Sequence, residues 1–409
     1  MEALDGRRVG VAVVGLGGAV ASTAAAGVEL MRLGLAGTDG LPLADIAPGG
    51  RFSPVEGIPR YTDLVFAGWD VVPDDLATAA EGHGVLSPSD LAAAAPALSE
   101  IVPWPAVADR SWCRNADGRH LVVADTRRGA VEHIRADLRA FAEQVDSVVV
   151  VNLGSTERLA DTSSPALATI EGLEAALDAG DPDVPPAVLY AYAAIREGLP
   201  YVNFTPSLAC DAPALIDLAT ELGVPIAGKD GKTGQTFVKT LIAPGLRSRA
   251  LRVEGWFSMN ILGNRDGEAL DDPESNASKL ATKAEALDDI LGYHVEDHIV
   301  RIEYYKPRGD AKEAWDNIDV VGFLGEKMQL KVNFLCKDSI LAAPLVLELA
   351  RLLDLAAQRG EGGVQEHLGA FFKAPMVPAG AGAPEHAFHR QEEALVQWLG
   401  AGRQAPVTG

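Results

Sequence analysis

Val9-Gly-Val-Ala-Val-Val14, then Gly15-Leu-Gly-Gly18, then an alanine-rich stretch from Ala19 to Leu33 that stops at Gly34, decides how this chain is built. A short, nearly all-apolar run suits a parallel strand buried on both faces. The glycines make a turn, and the stretch beyond them has helical patterning. In such a unit the turn glycines let the backbone approach a pyrophosphate, while the helix N-terminus offers amide donors and positive partial charge. Gly15 and Gly17 fit a dinucleotide fingerprint. The third glycine position holds Val20, with only Ala19 and Ala21 as small neighbours. Taken alone, the turn reads equally well as a packing device.

Similar units follow. Leu64-Val-Phe-Ala-Gly-Trp-Asp70 reads as a strand ending in a carboxylate, which can accept both hydroxyls of an adenosine ribose. It falls later than the usual distance of about 20 residues after the glycines. A Gly/Pro-rich insertion from Gly37 to Pro59 accounts for the delay. The competing reading makes Asp70 a helix N-cap for the segment after Pro73. Ser147 to Asn152, Tyr201 to Ser207 and Val224 to Gly228 are further strand patterns, separated by helical ones such as Val131 to Gln144 and Ala212 to Leu222. Strands alternating with helices imply a doubly wound parallel α/β sheet, with ligands at the carboxyl ends of its strands.

From Leu251 the pattern changes. Arg301 to Tyr305 and Met328 to Cys336 alternate, with Met328, Leu330, Val332, Phe334 and Cys336 on one face. Alternation points to an antiparallel sheet in a second region, with one polar face at a subunit contact or a site. Asp338 to Gly360 is a long apolar helical pattern interrupted by Pro344.

Composition limits the chemistry. The 409 residues carry a formal charge of −22, with 48% apolar and 22% charged residues, as in a core-forming globular protein. Such acidity opposes nonspecific binding to nucleic acid or anionic membrane. Clustered cations therefore call for an explanation. Ser278-Lys-Leu-Ala-Thr-Lys283 sets two ammonium groups one helical turn apart, where like charges repel. Either a phosphorylated substrate compensates them or they form a solvated edge. Lys306-Pro-Arg-Gly-Asp-Ala-Lys312 adds three cations, and Lys373 stands alone among apolar residues. Three cysteines form no disulfide framework or metal motif, and no apolar segment has signal or transmembrane length, so a cytoplasmic protein is expected. Gly231-Lys232-Thr233 is no P-loop, because Ile226 stands where its first glycine belongs. His294 and His298 lack the order of a zinc motif, and there is no serine-hydrolase elbow.

Together Gly15 to Gly18 with Ser22-Thr23, Gly68-Trp-Asp70, Ser155-Thr-Glu157, Gly228-Lys-Asp230, Gly234-Gln-Thr236, Asn260 to Gly267, Ser278-Lys279, Lys306 to Lys312, Lys337-Asp-Ser339 and Phe372 to Pro375 resemble the myo-inositol-1-phosphate synthases, over nearly the whole chain and in family order. The resemblance implies a Rossmann-type NAD-binding domain over residues 1–236, an inserted α+β catalytic and tetramerisation domain over 237–340, and a return to the first domain over 341–409. It implies NAD-dependent conversion of glucose 6-phosphate by C5 oxidation, C6 enolisation, aldol closure onto C1 and re-reduction, in a homotetramer, with a monovalent or divalent cation as a further expectation.

By the same resemblance Lys279, Lys283, Lys312, Lys373, Asp230, Asn260 and Asp266 are catalytic. Lys279 falls to the C5 oxygen and Lys373 to oxyanion or proton-transfer work. Gly15, Gly17, Gly18, Ala19, Val20, Asp70, Ser155, Thr156, Asp230, Asn264, Asp310 and Asp338 hold the cofactor. Thr233, Gly234, Gln235, Thr236, Leu262, Lys283 and Lys312 meet the substrate phosphate or an oxyanion. The chain departs from the family at Ala19, Val20 and Ser155, where asparagines are usual, and at Lys229 and Arg265, which retune the expected substrate pocket. Two other readings stay open at this point: a related synthase closing a five-membered ring from fructose 6-phosphate, and a noncatalytic NAD sensor of the same fold.

Overall fold

The computed structural model describes residues 6–46, 52, 55–114, 118–263, 287–378 and 380–401. Its centre is β1 (Val9–Val14), every residue of which is buried. On one side β1 pairs in parallel with β2 (Leu64–Asp70), and on the other with β4 (Ser147–Asn152). The sheet extends to β3 (Trp104–Pro105) at one edge. At the other it runs through β5 (Tyr201–Asn203) and β6 (Pro225–Gly228) to β11 (Gly363–Val364), in the order β11-β6-β5-β4-β1-β2-β3. All of these neighbours are parallel.

Period-two alternation divides the strand side chains between two cores. Val9, Val11, Val13, Val149, Val151 and Val202 face α1 (Ala19–Arg32) and the long helix α10 (Asp338–Gln358). Ala12, Val14, Val148, Val150 and Tyr201 face α4 (Arg127–Ala142), α7 (Pro186–Arg196) and α8 (Pro213–Leu222). With both faces covered, the strands must be apolar throughout, which is why they read as unbroken hydrophobic runs. Where β2 passes β1 the backbones are so close that a Cβ on Gly68 (φ +150°) would lie 2.0 Å from the Val13 carbonyl oxygen. The strand order reverses between β1 and β4, and a crevice opens there.

The expected strand from Tyr201 to Ser207 ends at Asn203. Asn203 Oδ1 accepts from the Thr205 amide (3.1 Å) and hydroxyl (2.8 Å), turning the chain aside.

Helix α9 (Gln235–Ser248) leads out of this layer to a second sheet, ordered β10-β9-β7-β8. Its strands are β7 (Arg252–Leu262), β8 (Asp297–Tyr304), β9 (Ala311–Val321) and β10 (Lys327–Lys337). This sheet is mixed and not purely antiparallel as expected: β9 is antiparallel to β7 and β10, but β7 and β8 are parallel. Alternation reports which face is buried and says nothing of strand direction. Trp256, Val253, Ile318 and Val320 pack beneath α9 in a third, smaller core that includes Ala243. On the outer strand Met328 is 47% exposed and Leu335 62%. Helix α10 then carries the chain back to the first sheet, where Leu349, Leu352 and Leu353 are fully buried.

Candidate active site

The glycine turn comes first. Gly15 takes φ +84°, and the amides of Gly15 and Leu16 both donate to the Trp69 carbonyl, at 2.9 and 3.0 Å. The Gly17 amide donates to Asp70 Oδ2 at 2.8 Å, and a Cβ on Gly17 would lie 3.1 Å from that oxygen. His83 Nε2 meets the Gly17 carbonyl at 2.8 Å, so the peptides on both sides of this residue are held. Helix α1 follows Gly18 as its N-cap, with no side-chain cap and no acidic residue in its first turn, which leaves its N-terminus suited to an anion. Asp70 is not an N-cap: that role belongs to Asp75, which accepts from Thr78 N at 2.9 Å. Asp70 closes its own turn through Val72 N (3.0 Å) and stays in the crevice wall.

A cleft of about 590 Å³ runs from this turn across the carboxyl ends of β1, β4 and β5. Polar side chains ending two apolar strands shape its floor. Asn152 Nδ2 donates to Asn203 Oδ1 (3.2 Å), Asn203 Nδ2 donates to the Ser207 carbonyl (2.7 Å), and Ser207 Oγ accepts from Glu157 N (2.9 Å). Sequence reasoning passed over Asn152 and Asn203. The available signal was a single polar residue closing each of two neighbouring buried runs.

At the far end, residues 228–232 run antiparallel to 371–376. Lys229 N donates to Ala374 O (2.9 Å), Lys373 N to Asp230 O (2.7 Å) and Lys232 N to Phe371 O (2.8 Å). This pairing brings two residues distant in sequence face to face: Lys373 Nζ donates to Asp230 Oδ1 at 2.6 Å, both residues being buried. Close by, Lys312 Nζ and the Thr233 hydroxyl both donate to Asp338 Oδ1, each at 3.2 Å. Lys373 and Lys312 thus meet carboxylates and are not bare, mutually repelling cations. Lys229, expected to retune the pocket, turns to Asp211 (2.6 Å) and leaves the cleft wall.

Of the expected cofactor residues, Gly15, Gly18, Ala19, Val20, Asp70, Ser155, Thr156, Asp230 and Asp338 line the cleft, as do Thr233, Lys312 and Lys373. Gly17 acts from behind the turn. Asp310 lies off the wall, where its carboxylate receives the Ser339 hydroxyl at 2.7 Å and braces the start of α10. Gly234, Gln235 and Thr236 begin α9. The Gln235 side chain holds Asn260 and donates to the Met259 carbonyl (3.3 Å), and Leu262 is buried at the end of β7. Asn264, Asp266, Lys279 and Lys283, with Arg265, lie outside the described residues.

Among the described residues no group of three or more His, Cys, Asp or Glu side chains could hold a metal ion. His294 bonds to Asp288 and His298 to Lys239, each at 2.6 Å. The donor set instead fits a dinucleotide. A glycine cradle admits a backbone-to-phosphate approach, an uncapped helix N-terminus suits the pyrophosphate, and a carboxylate ends β2, the strand next to β1.

Comparison with known proteins agrees with this geometry. A family model described as myo-inositol-1-phosphate synthase matches residues 50–400. The chain is 42% identical to inositol-3-phosphate synthase 1 of Bacteroides thetaiotaomicron, over 96% of this chain and 93% of that one. It is 32% identical to isozyme 1 of Arabidopsis thaliana, over 91% and 81%. The crystal structure of the Caenorhabditis elegans inositol-3-phosphate synthase superposes with a TM-score of 0.89 at 29% identity, covering 97% of this chain and 86% of the other. Glycine cradle, strand order and chain-long similarity lead to one conclusion: this chain belongs to the NAD-binding myo-inositol-1-phosphate synthase family.

Proposed function

We propose that the protein converts D-glucose 6-phosphate to 1L-myo-inositol 1-phosphate. The observation that carries this reading is a pair of lysine–carboxylate couples, the buried Lys373–Asp230 and the part-buried Lys312–Asp338, at the end of the cleft away from Asp70. Bound NAD supplies reversible hydride acceptance at C5, which makes the adjacent C6 proton acidic. The chain's own groups do the rest. Lys373 is one strong hydrogen bond from Asp230, so its ammonium stays oriented toward the cleft and can give a proton to, or recover one from, a sugar oxygen. Enolisation and ring closure both place negative charge on oxygen, and a preorganised donor in a dry site lowers such a barrier by about 3 kcal/mol. Lys312, with Thr233 beside it on Asp338, is the second described lysine of the cleft and serves the phosphate or the developing alkoxide. Resemblance to the family supports Lys279 at the C5 oxygen and Lys283 at the phosphate or an oxyanion.

The same reading divides the chain into residues 1–236, 237–340 and 341–409. It places the protein in the cytoplasm and assembles it as a homotetramer through the second sheet. No described helix is long and apolar enough to cross a membrane.

Incubation with glucose 6-phosphate and, separately, fructose 6-phosphate, with the ring identified by NMR, tests the proposal. A six-membered cyclitol phosphate from glucose 6-phosphate is expected. A product from fructose 6-phosphate alone transfers the assignment to the five-membered ring. NAD binding without turnover of either sugar establishes a sensor.

A further inference from the structure

Glu157 sits in the wall of the cofactor cleft, at the start of the loop that leaves β4, and is only 8% exposed. Three elements meet on it. Its amide donates to Ser207 Oγ, in the loop after β5, at 2.9 Å. Its Oε1 accepts from Ala187 N, in the first turn of α7, at 3.1 Å. That helix starts with Pro185 and Pro186 and has no side-chain cap of its own, so Glu157 supplies one from a distance. The other oxygen, Oε2, is fully buried and has no hydrogen-bond partner among the described residues. An ionised carboxylate so placed would lack a donor for half its charge, which burial strongly disfavours.

We infer that Glu157 is a positioning residue for the dinucleotide, which acts as a neutral carboxylic acid to hold the Ser155-Thr156 loop against α7. The inference rests on the NAD reading of the cleft. Burial drives the group in this direction, pushing it up to about 8 and outweighing the Ala187 amide and the attraction of Arg127 and Arg158; Asp109 adds to the rise. Tyr190 of α7 also lines this wall. The neutral form has two consequences. At Glu157 the wall adds no further negative charge to those of Asp70 and Asp109, facing an anionic ligand whose phosphates need cationic or amide partners. Loss of the proton would instead oblige the side chain to swing toward water or toward Arg127 and Arg158, and Ser155 and Thr156 would move with it.

Equilibrium dialysis of the full-length protein with NAD from pH 6.5 to 9.5 tests the inference. The wild-type Kd should be flat below about pH 8 and rise above it, approaching about tenfold per pH unit, the limit for one proton linked to binding. Glu157→Gln, which keeps an acceptor for Ala187 N and cannot ionise, should bind NAD as wild type does at pH 7 and lose the alkaline rise. A wild-type Kd that stays flat to pH 9.5 overturns the inference even if the variant fails to fold. A rise that persists in Glu157→Gln overturns it too. Absence of NAD binding at every pH removes the NAD reading itself, a separate and distinguishable result.

Discussion

Each side chain of the short loop after β6 grips a different part of the molecule. Lys229 holds Asp211, Asp230 holds Lys373, Lys232 holds Gln391 and Thr233 holds Asp338. The pairs differ in what they can do. Lys373 and Asp230 face the cleft, so Lys373→Met should lower kcat/KM by about 10²–10⁴-fold, the usual worth of a proton-transfer group. NAD should remain bound, and steady-state kinetics with parallel dialysis would check both. Lys232 faces inward, with a neutral amide (2.5 Å) and the Phe388 ring for company. Burial pushes its ammonium down from an ordinary 10.5 to about 7. Between those values the unfolded chain holds a proton that the folded chain lacks. Stability therefore rises with pH across that window, and the penalty is complete below 7. Lys232→Met should flatten this slope, raising the urea midpoint at pH 6.5 relative to wild type and changing it little at pH 10.5.

At the scale of elements, the most demanding contact is the crossing of β1 and β2. Gly68→Ala forces a Cβ into the Val13 backbone at a φ that side chains avoid, and should destabilise the protein by about 3 kcal/mol in urea titrations, without touching a ligand. The nearby glycine turn was legible in the sequence because strand, turn and helix are local patterns. Asp70 was legible too, once the insertion explained its separation from Gly17. The lysine–carboxylate couples were not. Lys373 and Asp230 stand 143 residues apart, and only the antiparallel pairing of two loops joins them. Nor was the parallel match of β7 and β8, since one-sided burial looks the same whichever way a strand runs. Glu157 was visible only as a letter in a motif; its uncapped neighbour, α7, and the packing that strips its second oxygen of partners arise from tertiary structure.

For the whole molecule, the second sheet is the surface through which the proposed assembly would form. Its outer strand leaves Met328, Leu330 and Leu335 exposed, and the β9–β10 turn leaves Phe323 88% and Leu324 82% exposed. Large apolar groups gathered on one sheet of an acidic chain suit burial against further copies. Leu330→Asp should shift the protein to a smaller species in sedimentation velocity while the glycine cradle, in the other sheet, still binds NAD. The C-terminal helix α11 (Phe388–Ala401) lies far along the chain from Asp230, yet Gln391 on it is bonded to Lys232, two residues away from that carboxylate. Fusing a purification handle after Ala401, or trimming that helix with a protease, would thus perturb the proposed reaction centre mechanically. Turnover would register damage at the tail before any spectroscopic probe of folding did.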